Sequence, residues 1–202
     1  MEAGKVLIKG VIAGVILGIV CAVILLIFGG INVAIGAFQT LANTFCGPIA
    51  CIVQPLTCFI GAIFGWGAWL LMGIFGLLAG LYAASSIAKI SKKGDFLVSS
   101  LVGSLAAGII VLLLSIFAFL LTPVVGAVFN VFFGFLTGAV QGQQLGDMLL
   151  NGIMTAIFGI VGAFILTLVN LVLGFFTVLL GALLGGLVGA FVFKPLPDKK
   201  KA

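Results

Sequence analysis

Between Gly10 and Ala88 this chain has no charged side chain, and between Phe96 and Phe193 it has one, Asp147. A water-soluble domain carries roughly 25% charged residues, because its surface must be solvated. Here 6% of 202 residues are charged and 64% are hydrophobic. Each uncharged stretch is several times the ~20 apolar residues that cross a bilayer. Lipid is therefore the expected solvent, and the expected fold class is all-α: a polytopic helical membrane protein.

The net charge of +5 comes from lysine alone. The lysines form three groups: Lys5 and Lys9; Lys89, Lys92 and Lys93; and Lys194 with Lys199, Lys200 and Lys201. Nucleic-acid binding calls for a basic stripe along a folded face, and the lysines sit at segment ends instead. That is the pattern of topology signals. If all three groups stay on the cytoplasmic side, an even number of crossings separates each from the next, and both termini are cytoplasmic.

Four spans are expected, at about residues 6–28, 67–88, 96–121 and 171–193. The first ends at Gly29-Gly30, the second begins near Trp66 and Trp69, the third stops at Thr122-Pro123, and the fourth stops at Lys194-Pro195. Lys5, Lys9 and the run Val11–Phe28 also have the outline of a signal peptide. That run is long for a signal, however, and no small-x-small cleavage site directly follows it, so the span is expected to be retained. Between the spans of each half lie further apolar stretches, 31–65 and 124–170. In the first, Ile31, Ile35, Phe38, Leu41 and Phe45 share one helical face, while Asn32, Gln39 and Asn43 share the other. Partly inserted hairpins are expected for both stretches, although extra crossings or long helical extensions also satisfy the pattern.

The linker 89–95 divides a first membrane half, 1–88, from a second, 96–194, with a basic tail at 195–202. The halves look alike. Asn32, Val33 and Gly36 match Asn130, Val131 and Gly134, while Gly76, Gly80 and Ala84 match Gly181, Gly185 and Gly189. A tandem repeat of two copies in one orientation is the reading. Two helix starts also match, with Asp95 in "GDFLV" and Asp147 in "GDMLL" placed as N-caps.

Glycine costs a helix up to about 1 kcal/mol relative to alanine in water, yet it recurs here every fourth residue. The stripes are Gly10, Gly14 and Gly18; Gly76, Gly80 and Ala84; and Gly181, Gly185 and Gly189. In lipid, helices associate by close packing rather than by a hydrophobic force, and small residues spaced by four permit it. The stripes are read as helix-packing surfaces, within one subunit first and between subunits second.

The remaining candidates carry less. Asn32 and Asn130 occupy matched places and could line a path for a neutral solute; with Asn151 and Asn170, they could equally bond between helices. Cys46, Cys51 and Cys58 fall in one loop, where free thiols or one disulfide are open, while Cys21 reads as a small apolar residue within a span. Without histidine a metal site is not expected, and no cofactor is expected. Asp147, beside Gln141, Gln143 and Gln144, is read as a helix cap rather than an ion site. Catalysis finds no paired carboxylates and no base to activate a serine. The functional expectation is a non-enzymatic structural or accessory membrane protein, in contact with lipid and associated as a homo-oligomer or complex subunit. The alternative is a channel or permease for a small neutral solute. A lipid-handling role, suggested by the phenylalanines of Phe129–Phe135, ranks third.

Overall fold

A computed structural model describes residues 3–45, 50–140, 142 and 144–195. The described residues form four helices: α1 (Ala3–Phe45), α2 (Ala50–Ala88), α3 (Phe96–Val140) and α4 (Leu145–Val192). All four are long and apolar enough to cross a membrane. The chain is all-α among its described residues, as the charge-free runs require.

The ends of the spans on the lysine side fall where punctuation places them. α2 closes at Ala88, and the Ser91 amide donates back to the Ile87 carbonyl (2.9 Å), turning the chain into the linker. The Asp95 carbonyl accepts the first bond of α3 from the Ser99 amide (3.0 Å), which places Asp95 at the N-cap. Asp147 is different: the first bond of α4 runs from Met148 to the Gln144 carbonyl (3.0 Å). The cap residue is therefore Gln144, and Asp147 lies exposed within the first turn. There its charge still faces the positive end of the helix dipole. Gly142, with φ of 67°, turns the chain just ahead of α4 in a conformation that suits glycine.

The other ends differ from the sequence reading. The stretches expected as separate hairpins continue the spans as helix, so that α1 to α4 have 43, 39, 45 and 48 residues. α1 passes through Gly29-Gly30, and α3 passes through Pro123. In water such residues end or kink helices. Within a membrane protein, neighbouring helices and Ser/Thr hydroxyls supply the partners that proline removes. Pro123 removes the helical donor of the Phe119 carbonyl, and Thr122 Oγ1 donates to the Ala118 carbonyl one residue earlier (3.0 Å).

The chain divides into two compact units that each draw on all four helices. One comprises Met1–Val23, Trp69–Phe117 and Leu171–Ala202; the other comprises Ile24–Ala68 and Ala118–Asn170. In the first, many small residues point inward beside a few large ones such as Met72, Ile87 and Val111, and many large ones point outward. Ala13, Ala79, Ala83, Ala107 and Ala182 are fully buried, while Leu70, Leu180 and Phe191 stand 69%, 58% and 79% exposed. A soluble bundle has the opposite arrangement. In the second unit, Gly29 packs on Thr122, Phe28 on Gly67, and Gly134 on Gly152.

Contacts within the first unit bring the lysine groups to one end. The side chains of Val6, near the start of α1, and Ile87, at the close of α2, both meet Gly103 near the start of α3. Ala84 of α2 meets Gly189 near the end of α4. Single cysteines at Lys9, Lys92 and Lys194, in a chain with its native cysteines replaced, should therefore all react with a membrane-impermeant maleimide from the same face of sealed vesicles. Labelling of the three positions from different faces would refute this layout.

Candidate functional site

The feature built most deliberately is the set of helix contacts inside the first unit. α1 lies along α3 in parallel register. A methyl group added at Gly10 would strike the Gly103 carbonyl; at Gly14 it would lie 2.6 Å from the Ala107 carbonyl oxygen, and at Gly18, 2.7 Å from Leu114 Cδ1. α2 lies along α4 in the same manner. Gly76 faces the Val178 carbonyl, Gly80 that of Ala182, Gly181 that of Gly73, and Gly185 that of Leu77. In all of these except Gly18, the hydrogen standing where a Cβ would be is directed at a backbone oxygen. Such Cα–H···O contacts are worth about 0.5–1 kcal/mol each. Alanine cannot reproduce them, because its methyl group would occupy the space of the oxygen.

The α2–α4 contact is reciprocal. Gly76 and Gly181, Gly80 and Gly185, and Ala84 and Gly189 are matched positions, each pair 105 residues apart. Moving both members of the Gly76–Val178 contact to their matched positions gives Gly181–Gly73, which is also present. The Gly80–Ala182 contact maps in the same way onto Gly185–Leu77, and Ala84–Gly189 maps onto itself.

α3 touches all three other helices, a role its sequence did not advertise. Its Ala107 faces α1, Gly103 meets both α1 and Ile87 of α2, and Ser100, Ser104 and Gly108 face α2 and α4. Ser100 Oγ donates to the Gly186 carbonyl of α4 (2.7 Å). Ser104 Oγ lies 3.2 Å from the Gly80 carbonyl of α2 and 2.6 Å from the Ser100 carbonyl of its own helix. Both serines are fully buried. Farther along, Ser115 donates to the Val111 carbonyl (2.8 Å), and its oxygen lies 3.6 Å from the Cys21 Sγ of α1. The available signal was Ser100, Ser104 and Gly108 at intervals of four, a small-residue stripe in which serine stands for glycine. Among the described residues no buried side-chain nitrogen or oxygen lacks a hydrogen-bond partner.

The side chains of most other candidates lie outside the described residues. Asn32 lies on α1 and Asn130 on α3, with side chains outside the described residues. Cys46 lies outside them, as do the side chains of Cys51 and Cys58; Cys21 is a buried free thiol. Among the described residues no group of three or more His, Cys, Asp or Glu is placed to hold a metal ion.

No protein family, curated protein or solved structure matches the chain.

The geometry separates glycines that cannot accept a methyl group from those that can. Gly80→Ala should cost about 1–3 kcal/mol, the usual penalty for overpacking a filled core. At Gly30, with nothing within 4 Å of an added Cβ, alanine should be neutral or stabilising by up to about 1 kcal/mol. Ser104→Ala should cost about 0.5–1.5 kcal/mol through lost hydrogen bonding. Thermal unfolding in mild detergent, followed by tryptophan fluorescence, checks all three; equal melting of the Gly80→Ala and Gly30→Ala variants would contradict the contact geometry.

Proposed function

We propose that this chain is a structural or accessory integral membrane protein, not an enzyme, whose glycine-lined helices hold a rigid bundle in the lipid. The observation that carries the reading is the way the first unit is filled. Glycines on both helix pairs bring backbone against backbone, and the unit's buried hydroxyls engage carbonyls of their own or neighbouring helices. A conduit for a polar solute needs polar groups that face the path and can exchange partners with the solute. The inward hydroxyls of Ser100 and Ser104 are instead committed to helix carbonyls.

The reciprocal α2–α4 contact supports the further reading that the two halves are tandem copies related by an axis along the helices. Matched surfaces of the two copies then meet face to face, as they do in an isologous dimer, here within one chain. Lysine placement supports cytoplasmic termini in a cell membrane. On this reading the outward leucines, valines and phenylalanines contact lipid, a further copy or a larger membrane complex.

Native mass spectrometry from mild detergent, paired with solute flux into proteoliposomes, tests the role. The expected result is one defined assembly, as a homo-oligomer or with stoichiometric partners, and no flux above protein-free vesicles. Selective flux of a neutral solute, reduced in Asn32→Leu or Asn130→Leu, would replace this reading with the permease. If the halves are copies, Gly76→Ala and Gly181→Ala should lower the melting temperature by similar amounts, as should Gly80→Ala and Gly185→Ala.

A further inference from the structure

The lysine-bearing end of the first unit combines two features that the packing scheme does not use. The first is charge. Lys5, Lys9, Lys89, Lys92, Lys93 and Lys194 are all exposed there, and Asp95 is the one acidic residue among the described residues of that end. The second is a belt of outward apolar side chains within a turn or so of those lysines. Leu7, Ile8, Val11 and Ile12 intersperse with the lysines of α1; Leu97 and Val98 follow the linker; Phe191 and Val192 precede Lys194. A ring of cations directly above an apolar girdle is the arrangement of a head-group boundary. The apolar stems of lysine lie along the hydrocarbon edge there while the ammonium groups reach outward.

From this juxtaposition we infer that the end formed by Lys5, Lys9, the 89–95 turn and Lys194 binds the anionic head groups of one membrane leaflet, so that the protein collects acidic phospholipid around itself. The choice of lysine over arginine fits this partner. A flexible stem bearing a compact charge follows a fluid layer of phosphodiesters, whereas a planar guanidinium suits a fixed bidentate partner. Juxtamembrane lysines are attracted to an anionic leaflet in proportion to their number. Three chain segments converge here, which gives the collar a charge density that no single segment has. Lys5, which makes a further contact within the protein, is not needed for the argument.

The inference rests on the membrane reading, and one experiment separates the two. The full chain is placed in nanodiscs of equal parts phosphatidylcholine and phosphatidylglycerol, and the lipids that remain bound are counted by native mass spectrometry. Failure of the chain to enter nanodiscs at all would overturn the membrane reading itself. If it enters, phosphatidylglycerol should be retained about fivefold or more over phosphatidylcholine, the factor that a single lysine near an anionic surface supplies. The preference should weaken with added salt, as the screening length falls from about 10 Å at 0.1 M to about 3 Å at 1 M. The K89Q/K92Q/K93Q variant should lose most of the preference, and K89R/K92R/K93R, which keeps the charge, should retain it. D95N, which removes the one opposing charge among the described residues of this end, should raise it. Equal retention of both lipids by the unmodified chain would overturn the inference. So would a preference unchanged in the glutamine variant, or displacement of the lipid by inorganic phosphate, which would mark a site for a free anion.

Discussion

The structure depends on the approach of one helix backbone to another without side chains between them. Lipid tails are as apolar as leucine, so burying leucine between helices gains little there. What favours a bundle over dispersed helices is the density of close contact and the few polar bonds made across it. Both require the helices to come nearer than ordinary side chains allow. The glycines of α1, α2 and α4 supply that approach: their partners are carbonyl oxygens and Cα atoms more often than side-chain ends. The inverted distribution of residue size follows from the same constraint. Alanine, serine and glycine make up much of the interior, with Met72, Ile87, Val111 and Val178 among them, and most other bulky residues are left for the surface.

Serine extends this scheme where glycine alone would be insufficient. α3 meets three neighbours, so it cannot concentrate its small residues on one face. Ala107 serves α1, Gly103 lies between α1 and α2, and Ser100, Ser104 and Gly108 serve α2 and α4. A serine is small enough for close approach, and its hydroxyl can bond a carbonyl already accepting within its own helix. That second bond does not disturb the ladder, because a carbonyl oxygen has two lone pairs. α3 is thus tied to α2 through Gly80 and to α4 through Gly186 at nearly the same level.

These relations were unequally legible in the sequence. The four helices long and apolar enough to span a membrane, and their lysine-side ends, could be read because charge is absent from long runs and because Lys89, Asp95 and Lys194 mark boundaries directly. The three stripes stood out because glycine is conspicuous against leucine. The hidden parts share one cause: rules learned in water do not hold in lipid. Thr122-Pro123 and Gly29-Gly30 read as stops, yet the helices continue, because an apolar surrounding offers the backbone no better partner than helix. Ser100 and Ser104 form a series spaced by four with Gly108, but serine is less conspicuous than glycine in such a run. Their meaning depends on which helix lies opposite, and a local reading of one chain segment does not contain that. Gln144 took the capping role from Asp147 through a shift of one helical turn, a distance that composition does not resolve.

Which helices pair is the relation least accessible to sequence and the most informative about the architecture. Sequential helices in a membrane alternate in direction and are joined by short connections, so antiparallel neighbours are the simplest expectation. In the first unit, the glycines that face carbonyls join α1 to α3 and α2 to α4, parallel pairs drawn from opposite halves. Parallel helix dipoles side by side are not favourable in themselves, so the contact must be held by something local. The glycine hydrogens directed at facing carbonyls are such a local attraction, and they recur at intervals of one turn along both pairs. A parallel pair also has a property that an antiparallel one lacks: two copies of one helix can meet at equal height, so a single surface can serve both sides of the contact. The α2–α4 register has that form. If Gly76, Gly80 and Ala84 descend from the same ancestral stripe as Gly181, Gly185 and Gly189, the stripe first met its own copy in a second molecule, and fusion through residues such as 89–95 made the encounter intramolecular. Fusion would then have left α3 free to diverge from α1, which accounts for serine on the one and glycine on the other.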